Sequence, residues 1–173
     1  MPKFAIMSPT HVRTRERKDY AWGNFKRGRY IAIGCIVCED LTGLKMWEIE
    51  DIIKKFGYKP KEEKRRIEEF RRFLSLKCGD YVAIKNTNDG LFGIGVVNSD
   101  YYFKARGHDT GATNPQEFYH HFYKVNWLVT DYLKRKDIIG AGDKNWNPYG
   151  IINEPLPKIP DYIKIIFDRY NMK

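Results

Sequence analysis

The stretch KCGDYVAIKNTNDGLFGIGVVNSD, residues 77–100, decides the fold. Residues 81–85 are a short β-branched and aromatic run, Asn88, Asp89 and Gly90 form a tight-turn signal, and residues 91–97 return as the hairpin partner. Gly93 and Gly95 fall inside that partner, where glycine marks a bulge or a place at which another group comes close to the backbone. A hairpin in mid-chain implies a sheet. The other segments are therefore read for what pairs with it and what covers it.

On the amino side, residues 4–8 and 30–37 read as strands, and on the carboxyl side so do residues 122–129. Residues 18–28 predict a short helix with Ala21 and Phe25 on one face and Gly28 as its stop, although Gly23 interrupts it. Two further helices precede the hairpin: residues 46–56, with Ile49, Ile52, Ile53 and Phe56 in one stripe, and residues 60–76, with Ile67, Phe70, Phe73 and Leu74 inward. Residues 105–116 read as a long loop and residues 140–160 as extended and irregular. From Pro160 a last helix sets Ile163, Ile166, Phe167 and Tyr170 at i, i+3, i+4 and i+7. This order predicts an α+β fold. The expectation is one domain over residues 1–173, a curved and mostly antiparallel sheet or small barrel with flanking helices and a helical insertion at about 40–76.

Composition narrows the function. A chain of 173 residues with 42% apolar content can build a core and is far from compositions that stay disordered. The longest charge-free apolar run, residues 30–38, is about half the length of a membrane span, and the first twenty residues hold no apolar signal-peptide core. No membrane partner and a cytoplasmic location are expected. Few Gln and Ser beside plentiful Lys, Glu, Ile and Tyr is a bias found in thermophilic proteins. Cys35 and Cys38 stand three apart in a predicted strand, hence on opposite faces. Cys78 is alone, and His120 and His121 are adjacent. Structural thiols and no metal are the reading.

Catalytic motifs are missing. No G-x-x-x-x-G-K-[ST], H-E-x-x-H or G-x-S-x-G occurs, nor an H-x-E with a C-x-x-C, so phosphate-loop, zinc-hydrolase, serine-hydrolase and deaminase chemistry lack their residues. Asp80 with Lys85 is the nearest approach to a nuclease pair, and Asp80 reads more simply as a turn residue. No enzyme and no cofactor are expected. The charge says more: 31 Lys+Arg against 22 Asp+Glu leaves +9, and the excess is uneven. It gathers at Arg13, Arg15 and Lys18, at Lys104 and Arg106, and at Lys134, Arg135 and Lys136, whereas the helix over 61–72 is balanced by Glu62, Glu63, Glu68 and Glu69. Cations interleaved with rings suit nucleic acid, because cations neutralise phosphates while rings stack on bases. Trp22, Tyr30, Tyr101, Tyr102 and Trp146 lie beside loops or glycine, where a ring can be exposed, and Trp47 and Trp127 read as core.

The segments FAIMS (4–8), GRYIAIG (28–34), GDYVAIK (79–85), FGIGVV (92–97) and YKVNWL (123–128), in this order, resemble the YTH/EVE branch of the PUA-like superfamily. Within it they look most like the amino-terminal DNA-reading domains of archaeal McrB, the GTPase subunit of modification-dependent restriction systems. The resemblance covers most of the chain outside residues 40–76. It implies a pocket in a curved sheet that takes a flipped modified base, with N6-methyladenine the ligand of such cages. Carried over, Ser8 is the strand-end polar residue near the base edge. Tyr30 falls near the first cage aromatic, a position usually held by Trp, with Trp22 as the alternative wall. Tyr101 or Tyr102 would be the second wall, with Phe118 and Tyr119 as substitutes. The implied partners are double-stranded methylated DNA and, in a full-length system, restriction motor and nuclease subunits. A PUA-like RNA-binding module is the alternative. Arg13, Arg15, Lys18, Lys104, Arg106, Lys134, Arg135 and Lys136 would hold the nucleic-acid backbone.

Overall fold

In this computed structural model, residues 2–9, 14–34, 37–86, 90–108, 118–134, 137, 152–155 and 161–170 are described. They run β1 (Lys3–Met7), α1 (Arg15–Gly28), β2 (Tyr30–Gly34), α2 (Met46–Lys54), α3 (Pro60–Leu74), β3 (Tyr81–Asn86), β4 (Gly90–Val97), β5 (Tyr102–His108), β6 (Tyr119–Val129), β7 (Leu133–Lys134), β8 (Ile152–Pro155) and α4 (Asp161–Arg169). The sheet order is β2-β6-β4-β3-β1-β8, with β5 on β6 and β7 on β4. Every pairing is antiparallel except β1 on β3. The fold is α+β with a strongly curled sheet.

The curl follows from β6. Its first half pairs with β2 on one edge and β5 on the other, while its second half pairs with β4. Register shifts at Ile33/Gly34, Ile84/Lys85 and Ile94/Gly95 add local twist. The two glycines of β4 are close-approach positions, as their place in a strand predicts. A Cβ on Gly93 would stand 2.5 Å from the Trp22 ring, and one on Gly95 would be 2.8 Å from that of Trp127. The two indoles fill the space so left, edge to face at 4.8 Å, with Trp22 also stacked on Phe92 at 5.9 Å.

Both faces of the sheet are covered. Ala5 and Met7 of β1 join the main core with Trp22 and Phe25 of α1, while Phe4 and Ile6 turn the other way onto Ile166 and Phe167 of α4. The inward face of α1 is Lys18, Ala21, Trp22 and Phe25, an i, i+3, i+4, i+7 set. The helix begins at Arg15 rather than 18, so Arg15 and Lys18 belong to a helical turn and not to a basic arm. It also runs through Gly23, where a Cβ would meet nothing within 4 Å.

Other expectations are corrected. β2 stops at Gly34 rather than residue 37, and Cys38 and Cys78 are exposed thiols rather than buried ones. Trp47 is 60% exposed and Trp22 only 7%, the reverse of the expectation, because the stripe of Ile49, Ile52 and Ile53 turns Trp47 outward on α2. β5 occupies residues expected to open a loop, and β6 starts at Tyr119 rather than 122. Asp80 is buried, its carboxylate accepting from the Lys3 amide at 2.7 Å and the Lys77 amide at 2.9 Å, so it fastens β1 to the start of β3. The loop tip expected around 109–116, Cys35 and most of the irregular 140–160 segment lie outside the described residues.

The insertion α2–α3 has its own small core of Val37, Leu41, Ile49, Ile52, Ile53 and Phe70. It is tied to β6 through His121, whose Nε2–H donates to the Val37 carbonyl at 2.8 Å. A carbonyl can only accept, so Nδ1 carries the lone pair and takes the Tyr101 hydroxyl proton at 2.8 Å. The Leu41 amide in turn donates to the Tyr101 oxygen at 3.4 Å. Burial, foremost, pushes the His121 pKa down to about 4.

Two predictions follow from this architecture. With about 4 folded against 6.5 unfolded, the unfolded chain binds the extra proton, so His121 adds stability fully above pH 6.5. That contribution is lost as pH falls toward 4 and is worth about 3 kcal/mol in all. Urea midpoints should hold steady above pH 7 and decline from 6.5 to 5, and His121→Gln should flatten that decline. Separately, Gly23→Ala should raise stability by about 0.5–1 kcal/mol and Tm by about 1–4 °C in a thermal melt, because it removes backbone entropy at an open helical position.

Candidate functional site

The turn from α1 into β2 places Tyr30 over Gly28. A Cβ on Gly28 would run into Cε1 and Cδ1 of the Tyr30 ring, so the glycine is required by close approach. From there Tyr30 packs against Phe25 at 5.4 Å and edge-on against Phe122 at 5.2 Å and 79°. Phe122 stands on β6, and its cross-strand partner on β5 is Tyr102, stacked on it at 5.4 Å and 19°. Three rings from three strands therefore meet on one face of the sheet. Tyr30 and Phe122 are buried, and Tyr102, half-buried, carries the wall to the surface.

Cations surround this wall by the same period of two that sets the rings. Lys104, two residues after Tyr102, holds its Nζ 5.8 Å from the Tyr102 ring and 5.4 Å from that of Phe122. Lys124, two residues after Phe122 and paired with Tyr30 across the strands, is exposed. Burial chiefly, then Tyr102, pushes the Tyr30 phenol up to about 12; Arg27 acts against the rise and Tyr20 adds to it. Those last two come from the exposed side of α1, where Arg27 also donates to Asn24 Oδ1 at 2.5 Å. Burial raises Tyr102 as well. Both phenols stay neutral at ordinary pH. Neutral Tyr102, backed by the buried rings and flanked by Lys104, Lys124 and Arg27, can stack a flat ring and attract the phosphate attached to it.

The residues expected from the sequence divide. Tyr30 and Tyr102 are brought together, but Tyr30, expected to have an exposed ring, is buried against Phe25 and Phe122. Tyr101 does not join them: its hydroxyl serves His121 and its ring lies against His121 and Tyr123, toward the insertion. Trp22 contacts Phe92 and Trp127 and is a core residue, not an open wall. Tyr119 is buried against Phe25 at 5.8 Å and donates to the Pro9 carbonyl, which ties the end of β1, with exposed Ser8, to the same aromatic cluster. Phe118 is half-buried before β6.

Among the expected backbone contacts, Lys104 and Arg106 are exposed, as are Arg15, 3.8 Å from Asp19, and Lys134, which pairs with Gly90. Lys18 is 6% exposed on the inner face of α1, so its charge is not on the open surface. Arg13, Arg135 and Lys136 lie outside the described residues. Sequence reasoning missed Phe122 as the floor of the wall, and Tyr20, Arg27 and Lys124 beside it. The spacings Tyr102–Lys104 and Phe122–Lys124 carried that signal. Among the described residues no cluster of three or more His, Cys, Asp or Glu comes together.

Gly28→Ala tests the corner. The added methyl must displace the Tyr30 ring, at a cost of about 1–3 kcal/mol. Near-UV circular dichroism should change while the far-UV spectrum stays native, and a thermal melt should show the lower stability.

Among solved structures, the chain is similar to the YTH domain of the Zygosaccharomyces rouxii MRB1 protein in complex with N6-methyladenosine RNA, at 13% identity and a TM-score of 0.44, covering 99% of this chain and 86% of that one. It is also similar to the Mmi1 YTH domain, at 10% identity and a TM-score of 0.46, covering 98% of this chain and 75% of that one. No curated protein matches the sequence. Residues 11–147, which hold the whole aromatic wall and its cations, match one family, and the chain belongs to it: the domain of unknown function DUF8426.

Proposed function

We propose that this chain binds nucleic acid that carries a modified base, and that the base stacks on Tyr102, whose ring is backed by the buried rings of Phe122 and Tyr30. The observation that carries this is the meeting of those three rings with Lys104, Lys124 and Arg27 beside them. N6-methyladenine in duplex DNA is the ligand, and the domain binds without catalysing. Its methyl group gains roughly 0.8 kcal/mol on leaving water for aromatic faces, whereas plain adenine would bury a second N–H donor at a cost of about 1–3 kcal/mol. Discrimination on the order of tens to hundreds of fold results. A base inside a duplex must first be extruded, and stacking together with phosphate contacts offsets the unstacking. Cytoplasmic delivery of a restriction motor to such sites, as in McrB systems, is the corresponding cellular role and rests on the sequence resemblance.

The test is a binding panel of duplexes with N6-methyladenine, 5-methylcytosine or no modification, plus single-stranded RNA containing N6-methyladenosine. Tightest binding to the N6-methyladenine duplex is expected. Tyr102→Ala should weaken it roughly tenfold to a hundredfold, and Tyr102→Phe should keep most of it. Equal affinity for modified and plain duplex would sink the reading, and preference for the RNA would replace DNA with RNA as the partner.

A further inference from the structure

The α1–β2 corner separates two features that one glycine often combines. Helices commonly end on a left-handed residue, and that residue is usually Gly. Here Gly28 comes one position early, where the Tyr30 ring requires it, and Arg29 takes the left-handed conformation at φ 51° and ψ 51°. Among the described residues Arg29 is the only non-glycine with positive φ. Its backbone is held on both sides, the amide donating to Lys26 O at 3.4 Å and the carbonyl accepting from the Val125 amide at 2.9 Å. The side chain is exposed and makes no ion pair or hydrogen bond among the described residues. It follows exposed Lys26 and Arg27, and next to it Tyr30 pairs with exposed Lys124. Like charges gather there on a conformation that arginine disfavours, the kind of local strain that collects at binding sites.

We propose that Arg29 grips a backbone phosphate of the nucleic acid bound at Tyr102. This deepens the modified-base reading and rests on it. Arg29 and Tyr30 are adjacent and the Arg29 backbone is pinned, so the guanidinium projects from a fixed point beside the ring. A planar fork suits a phosphate's paired oxygens. The competing account is that Arg29 only complements the carboxyl end of α1, where a cation is favourable.

Salt-series binding by the full chain separates the two, using plain and N6-methyladenine duplexes with the unmutated protein, Arg29→Gly and Arg29→Lys. Arg29→Gly should leave Tm unchanged or higher, since glycine suits the left-handed position. It should weaken both duplexes alike by roughly tenfold and make the salt dependence shallower by about one ion. Arg29→Lys should fall between. Unchanged affinity and slope in Arg29→Gly, or a lowered Tm with binding intact, overturns the phosphate contact. Loss of methyl preference along with affinity overturns it too, because Arg29 would then be shaping the corner. If the unmutated protein shows no methyl preference but Arg29→Gly still loses one ion of slope, the base-reading proposal fails and the contact stands. No binding to either duplex rejects both.

Discussion

His121 and Phe122 are neighbours on β6, and the pleat of a strand sends them to opposite faces. Nearly everything else is arranged around that alternation. His121 faces the insertion, where it orients Tyr101 and holds the Val37 carbonyl; Phe122 faces α1 and carries Tyr30 and Tyr102. A slip of one residue would put an imidazole under the rings and a phenyl against a carbonyl that needs a donor. The register is guarded beside it. At the Ile33/Gly34 shift, Gly34 lies so close to β6 that a Cβ would sit 2.6 Å from Phe118 O and 2.8 Å from Tyr119 Cα. No other residue allows that approach.

The charge follows the same division. Along α3, Arg65, Arg66, Arg71 and Arg72 are matched by Glu62, Glu68, Glu69 and, from α2, Glu50. Such pairs add only about 0.3–0.5 kcal/mol each, but they tie up the charges of α3. Lys26, Arg27 and Arg29 at the end of α1, and Lys104 and Lys124 on β5 and β6, stand instead beside the aromatic wall.

Much of this was legible. The 81–97 hairpin and the close approaches at Gly93 and Gly95 follow from residue type and spacing, whereas Tyr30 and Tyr102 came from the family resemblance, which left Tyr101 and Trp22 open beside them. Trp22 was misread although Lys18, Ala21, Trp22 and Phe25 have helical spacing, because Gly23 and a lysine obscure the stripe. Trp47 was misread because large rings are usually buried, yet it stands only two positions from Ile49, about 200° around the helix. β5 was hidden by Lys104, Ala105, Arg106 and Gly107, a polar run suited to a strand that, among the described residues, pairs with β6 alone. The His121 network was illegible in principle, since nothing in a polar residue's identity tells which distant carbonyl it will meet.

The Asp80 clamp has a kinetic side. It joins groups 77 residues apart, and β1 pairs with β3 only after α1, β2, α2 and α3 lie between them. Closing a loop of that length costs on the order of 4 kcal/mol in chain entropy before any ladder bond returns it. Parallel pairings of high sequence separation form slowly. β1 is therefore synthesised well before its partner and waits as an apolar segment with open hydrogen-bonding groups on both edges, so the end bearing Ser8 joins the aromatic wall late in folding.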